Sequence, residues 1–106
     1  MSIRYLIILA GSLIFAGNAF AEEGEVLAKK NSCLTCHTKK GPGPTFKQVA
    51  DKYNKYSNKK DAQATLEKKV RSGSVGVWGK IPMAPTPRKV SDEDIKSIVQ
   101  WVLSIK

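Results

Sequence analysis

From Thr45 to about Tyr53 the apolar side chains fall at Phe46, Val49, Ala50 and Tyr53. Spacings of three and four residues put them on one face of a short helix. The stretch Asp61 to Arg71 repeats the pattern with Ala62, Leu66, Lys69 and Val70 on one stripe, and Ser72-Gly73-Ser74 supplies the stop. The clearest periodicity is terminal. Ser91 is placed as an N-cap, Asp94 stands three residues on, and Ile95, Ile98, Val99, Val102 and Ile105 follow at helical spacing. A shorter helix is predicted from Glu22 to Asn31, where three acids open the segment and Val26, Leu27 and Ala28 give it an apolar side. Between these elements, Thr38 to Pro44 and Gly73 to Pro87 are too rich in Gly and Pro for helix or central strand and read as loops. No alternating pattern of useful length and no internal repeat appears, so the expected class is all-α, with short helices joined by long loops.

The first residues stand apart from this pattern. Arg4 precedes an apolar run from Tyr5 to Phe15, followed by Ala16, Gly17, Asn18 and Ala19-Phe20-Ala21. That order of charge, apolar stretch and A-x-A is a secretory signal peptide. The run is shorter than the roughly 20 residues of a spanning helix, and Gly11, Ser12, Gly17 and Asn18 interrupt it. Cleavage after Ala21 is therefore expected, giving residues 1–21 as signal and 22–106 as the working domain. Of 106 residues 85 then remain, a size at which one hydrophobic core gives thin stability. Only Cys33 and Cys36 could form a bridge, and it would close too short a loop to constrain the unfolded chain. A cofactor is the natural completion of the core.

Charge narrows the partners. Without Arg4 the chain carries 17 Lys and Arg against 9 Asp and Glu. Tyrosines interleave with lysines from Lys52 to Lys60, as they do in some nucleic-acid binders, yet an exported protein meets little nucleic acid. The lysines read first as solvated surface and second as a face for acidic partners.

Cys33-Leu34-Thr35-Cys36-His37 is C-x-x-C-H, the attachment signature of c-type haem. Two thiols three residues apart on a tight helical turn project to one side and reach two vinyl groups of one porphyrin, while the next residue supplies an imidazole to the iron. Three other readings fit less. A disulfide leaves His37 unexplained. A thioredoxin-like pair wants a βαβ context. A structural zinc site wants four ligands, and carboxylates would have to complete this set. Met83 is the single methionine left after signal removal, in Ile81-Pro82-Met83-Ala84-Pro85, and lies 46 residues beyond His37. A buried methionine is ordinarily packing material. With haem present, Met83 is the remaining soft neutral ligand, and thioether opposite imidazole raises the potential. His37 and Met83 are thus the expected axial ligands. The second ring nitrogen of His37 needs an acceptor, and a carbonyl in the Gly41 to Pro44 loop, that of Pro44, is near in sequence; the alternative is a turn with no such role. Trp78, flanked by Gly76 and Gly79, either donates its indole N–H to a haem propionate or simply packs. Trp101 and Phe46 are expected to pack against the ring.

At these residues the chain resembles the small bacterial class I cytochromes c, the periplasmic monohaem cytochrome c-551 type, over nearly all of 22–106. The likeness rests on Cys33-Leu34-Thr35-Cys36-His37, Gly43-Pro44-Thr45-Phe46, Gly73-Ser74-Val75-Gly76-Val77-Trp78-Gly79 running into Ile81-Pro82-Met83, and Ser91-Asp92 opening a helix with Trp101. It implies four or five short helices wrapped around one haem c, bound covalently through Cys33 and Cys36. It also implies His37/Met83 ligation, a Pro44 carbonyl accepting from His37, and a Trp78 contact to a propionate. Lys80 and Ala84 stand where relatives often have proline.

With both axial positions filled by protein, the expected work is outer-sphere electron transfer between respiratory-chain donors and terminal reductases or oxidases, without substrate turnover. Lys39, Lys40, Lys47 and Lys80 would ring the exposed haem edge and steer acidic redox partners. A monomer is expected, with no nucleic acid, small-molecule substrate or stable membrane insertion after cleavage. Two rivals differ in class: a gas-binding or peroxidatic cytochrome with Met83 off the iron, and a subunit permanently attached to a reductase.

Overall fold

The computed structural model describes residues 22–55 and 58–106, so the signal peptide expected at 1–21, and Tyr56 and Ser57 of the lysine-tyrosine segment, lie outside the described residues. Four helices carry the fold: α1 over 22–30, α2 Phe46–Tyr53, α3 Lys59–Ser72 and α4 Asp92–Ser104. A 3₁₀ turn, Cys33–Thr35, sits between α1 and α2. Among the described residues there is no strand, only an isolated antiparallel bridge between Ser74 and Met83.

Local chemistry sets the helix ends. Thr45 and Gln48 form a reciprocal capping box at α2, each side chain accepting from the other's backbone N–H. Asn58 accepts from Lys60 N at the start of α3, so this helix begins before the periodic stripe at Ala62 and gains an extra half-turn of exposed lysines. Ser91 accepts from Asp94 N at 3.1 Å, and Asp92, Glu93 and Asp94 place negative charge on the first turn of α4. The far end of α4 differs from expectation: Ile105 caps the helix in extended conformation rather than continuing the stripe. At the end of α3 the backbone turns at Gly73 with φ 79°, a left-handed value that a side chain resists.

α4 is the spine against which α2 and α3 pack. Ala28, Val49, Tyr53, Ala62, Leu66, Val90, Ile95, Ile98, Val99 and Val102 form the buried core, in which Ile95 and Val99 are fully enclosed. Each such side chain contributes roughly 1.5–3 kcal/mol on leaving water. Asn54 Nδ2 donates to Leu103 O and Gln63 Nε2 to Lys96 O, tying α2 and α3 to the α4 backbone. α1 crosses α4 where Gly24 is buried against the Ser97 carbonyl and the base of Trp101. Leu27, Cys33, Phe46, Val70, Trp101 and Leu103 pack on the core but stay partly open, and of these Phe46 and Trp101 form an apolar shelf beside His37.

Candidate haem-binding site

Asn31 ends α1 by returning both its backbone N–H and its side-chain amide to Leu27 O. Ser32 then takes a left-handed conformation, φ 63°, and starts the 3₁₀ turn. Cys36 N and His37 N both donate to Cys33 O, at 3.3 and 3.1 Å. This winding holds residues three and four apart on one side of the turn. Cys33 is partly buried against the core, whereas Cys36 is exposed. Burial pushes the Cys33 thiol up, opposed by a backbone hydrogen bond and reinforced by the neighbouring Cys36. A raised thiol is the reverse of what a disulfide oxidoreductase needs, since its attacking cysteine is kept as thiolate.

The Gly- and Pro-rich loop returns on the histidine. Gly41 N donates to Thr38 O and Gly43 N to Cys36 O, each at 3.0 Å. The result places Pro44 O 2.6 Å from His37 Nδ1. A carbonyl can only accept, so Nδ1 carries the proton and Nε2 keeps its lone pair for a metal. Phe46 stacks on the imidazole, centroids 4.8 Å apart and planes at 16°. Trp101 meets Phe46 edge-on at 5.2 Å. The ring expected to pack on haem therefore also braces the histidine, with Trp101 behind it.

Met83 and Trp78 belong to a second group, on the loop after α3. Ser74 N donates to Met83 O at 3.1 Å and Met83 N to Ser74 O at 2.8 Å, so the methionine is held at the foot of its loop by its own backbone while the side chain is half-buried. Trp78 is 43% exposed. The Lys52 ammonium lies 4.9 Å from its ring centroid, a cation–π contact from α2. Val75 and Ile81 are exposed on the same loop and give it an apolar rim. Thus Cys33, Cys36, His37 and Pro44 form one tight unit, while Met83 and Trp78 share the loop after α3, Met83 paired with Ser74 and Trp78 with Lys52. Phe46 against His37, and Lys52 over Trp78, were not foreseen. The regular aromatic and lysine spacing of α2 signals a helix face and not these contacts.

The donor set decides between metals. Among the described residues no group of three or more His, Cys, Asp or Glu side chains is arranged to hold one metal ion, which leaves zinc without its ligands. Two thiols, an imidazole with a free Nε2, a thioether and an apolar shelf are the parts that haem c requires.

The sequence profile of the cytochrome c family matches residues 21–106. The chain belongs to the cytochrome c family. It is 44% identical over 99 residues to cytochrome c-552 of Nitrosomonas europaea, covering 92% of this chain and 90% of that one. To cytochrome c-551 of Pseudomonas aeruginosa it is 41% identical over 103 residues, covering 95% and 94%. The crystal structure of wild-type Nitrosomonas europaea cytochrome c552 superposes with a TM-score of 0.68 at 43% identity, over 77% of this chain and 99% of that one. The architecture is that of the small class I cytochromes c, and the expected fold class stands. As a cytochrome c the chain is an electron carrier with covalently bound haem c, and Cys33 and Cys36 are its two cysteines. The bound group supplies a one-electron couple. Among the described residues no helix is long and apolar enough to cross a membrane.

Proposed function

We propose that this cytochrome c is a periplasmic shuttle, released by cleavage after Ala21, that moves single electrons between respiratory-chain donors and terminal reductases or oxidases. His37 and Met83 are its axial ligands, Cys33 and Cys36 its thioether residues, and Trp78 the donor to a propionate. The reading rests on one observation above all, the Pro44 carbonyl 2.6 Å from His37 Nδ1. That acceptor fixes the tautomer and orientation of the imidazole, as the outer partners of metal-bound histidines do. Met83 supplies a sulfur that favours reduced iron. With two protein ligands, no position is left for a substrate, so the protein works without turnover of its own and passes electrons across an exposed edge.

The absorption spectrum of the mature holoprotein, oxidised and reduced, with and without carbon monoxide, tests this directly. Low-spin bands, the weak far-red methionine-to-iron band and indifference to the gas are expected. Loss of the far-red band together with ready gas binding would make Met83 a packing residue and turn the function towards sensing or peroxide chemistry.

Lys39, Lys40, Lys47 and Lys80 are exposed, and Lys47 is engaged only by the exposed Asp51 on its own helix, 3.0 Å away. Such a pair is weak and leaves the lysine able to meet another carboxylate. Partners are therefore proposed to be redox proteins with acidic docking faces, met by a monomer in brief encounters, with no nucleic acid involved. The rate of reduction by such a partner should fall about tenfold or more as ionic strength rises from about 10 mM to 200 mM, within the roughly 10–10³-fold range of electrostatic steering. A rate indifferent to salt in stopped-flow measurements would remove the steering argument.

A further inference from the structure

We propose that Arg71 is a positioning residue that straps down the Met83 loop and so controls how readily the sixth position of the iron opens; the inference rests on Met83 being a ligand. Arg71 stands in the last turn of α3, two residues before the left-handed Gly73. Its guanidinium reaches across the base of the loop. Nη1 donates to Pro87 O at 3.1 Å and Thr86 O at 3.4 Å, Nη2 donates to Val90 O at 2.6 Å, and Nη2 and Nε both donate to Asp92 Oδ1, at 2.8 and 3.2 Å. Beside it, Thr86 returns its N–H and its hydroxyl to Val70 O, at 3.1 and 2.7 Å. The loop that carries Met83 is thereby closed twice. The Ser74–Met83 bridge closes it within, and three carbonyls gathered on one side chain close it where it departs towards α4.

Charge attraction is the lesser part of this arrangement. The Asp92 side chain is 93% exposed, so its pairing with Arg71 is screened by water. The Arg71 side chain is 24% exposed, and its bonds to Thr86 O and Val90 O are partly buried, while that to Pro87 O is exposed. A planar fork with five fixed donors can serve several carbonyls at once. An ammonium gathers its donors on one nitrogen and cannot span the same set. Thr86 is three residues from Met83, and this short tether transmits the anchoring to the sulfur. Cutting the strap leaves the loop on the two-bond Ser74–Met83 clasp and the Thr86 bonds to Val70 O, and an irregular segment with few anchors opens locally at low cost.

The test uses ferric holoprotein at neutral pH and fixed salt, with cyanide as an external ligand that must wait for Met83 to leave. Wild-type protein should show the far-red band and take up cyanide slowly. R71A, and R71Q if alanine impairs folding, should bind cyanide at least tenfold faster with a weakened far-red band. R71K should fall between, and D92N should match wild type. V99A removes core packing on α4 without touching any bond of Arg71, and should lower thermal stability without raising the cyanide rate. The strap is overturned if the Arg71 variants bind cyanide at the wild-type rate, if V99A accelerates binding as much as they do, or if D92N reproduces them, which would make the ion pair the active element. A wild-type protein that lacks the far-red band and binds cyanide at once would overturn both the strap and Met83 ligation, whereas failure in the Arg71 variants alone leaves the ligation intact.

Discussion

Met83→Ala is expected to abolish the far-red band, let the reduced protein take up carbon monoxide, and lower the reduction potential by a few tenths of a volt. That fall is a sizeable part of the roughly 0.8 V that axial ligands span. The direction follows from the chemistry, since thioether sulfur stabilises reduced iron and its removal leaves water or a harder donor in its place. The experiment is clean because the bridge to Ser74 uses only the main chain of Met83, through N–H and carbonyl bonds of 2.8 and 3.1 Å. Alanine keeps both bonds. The melting temperature should therefore move much less than the potential. Voltammetry and a carbon monoxide difference spectrum would check the pair of effects. An unchanged potential, with the gas still excluded, would show that another group holds the iron.

Gly24→Ala should be strongly destabilising, although alanine improves helix propensity. In an exposed helix the exchange gains about 1 kcal/mol. Here a Cβ would run into the carbonyl of Ser97 and the Cβ of Trp101, so α1 must lift away from α4. Overpacking of this kind costs roughly 1–3 kcal/mol, with the upper end expected because the obstacle is backbone and not a flexible side-chain tip. The net loss of about 2 kcal/mol is large against the 5–15 kcal/mol that holds a small domain folded. It should lower the melting temperature of the holoprotein by about 8 °C or more, as read by circular dichroism. A melting temperature equal to or above wild type would mean that the two helices do not meet so closely.

That glycine marks where reading the chain stopped. The helix stripes, Ser91 as a cap, the stop at Gly73 and the two loops were legible because each is a local matter of spacing and turn chemistry. C-x-x-C-H was legible because three chemically distinct groups have one common use. Gly24, in a segment opened by three acids, carried no signal, because the reason for a missing side chain lies 73 residues away at Ser97. The Ser74–Met83 bridge was equally hidden, since two backbone bonds across a nine-residue separation leave no periodic trace. Lys52 over Trp78 and Arg71 across the loop base are of the same kind. Lysine and arginine on an exposed stripe look like solvated charges until the fold supplies the ring or the carbonyls they meet.

The acceptor opposite His37 has a bearing on how such a protein changes over generations. It is a main-chain oxygen, so no exchange of side chain at position 44 can delete it. Mutation reaches this bond by altering the path of the loop from Thr38 to Thr45, through insertions, deletions or lost turns. A lineage carrying this arrangement can change the identity of its surface residues while the orientation of its imidazole is inherited as a shape.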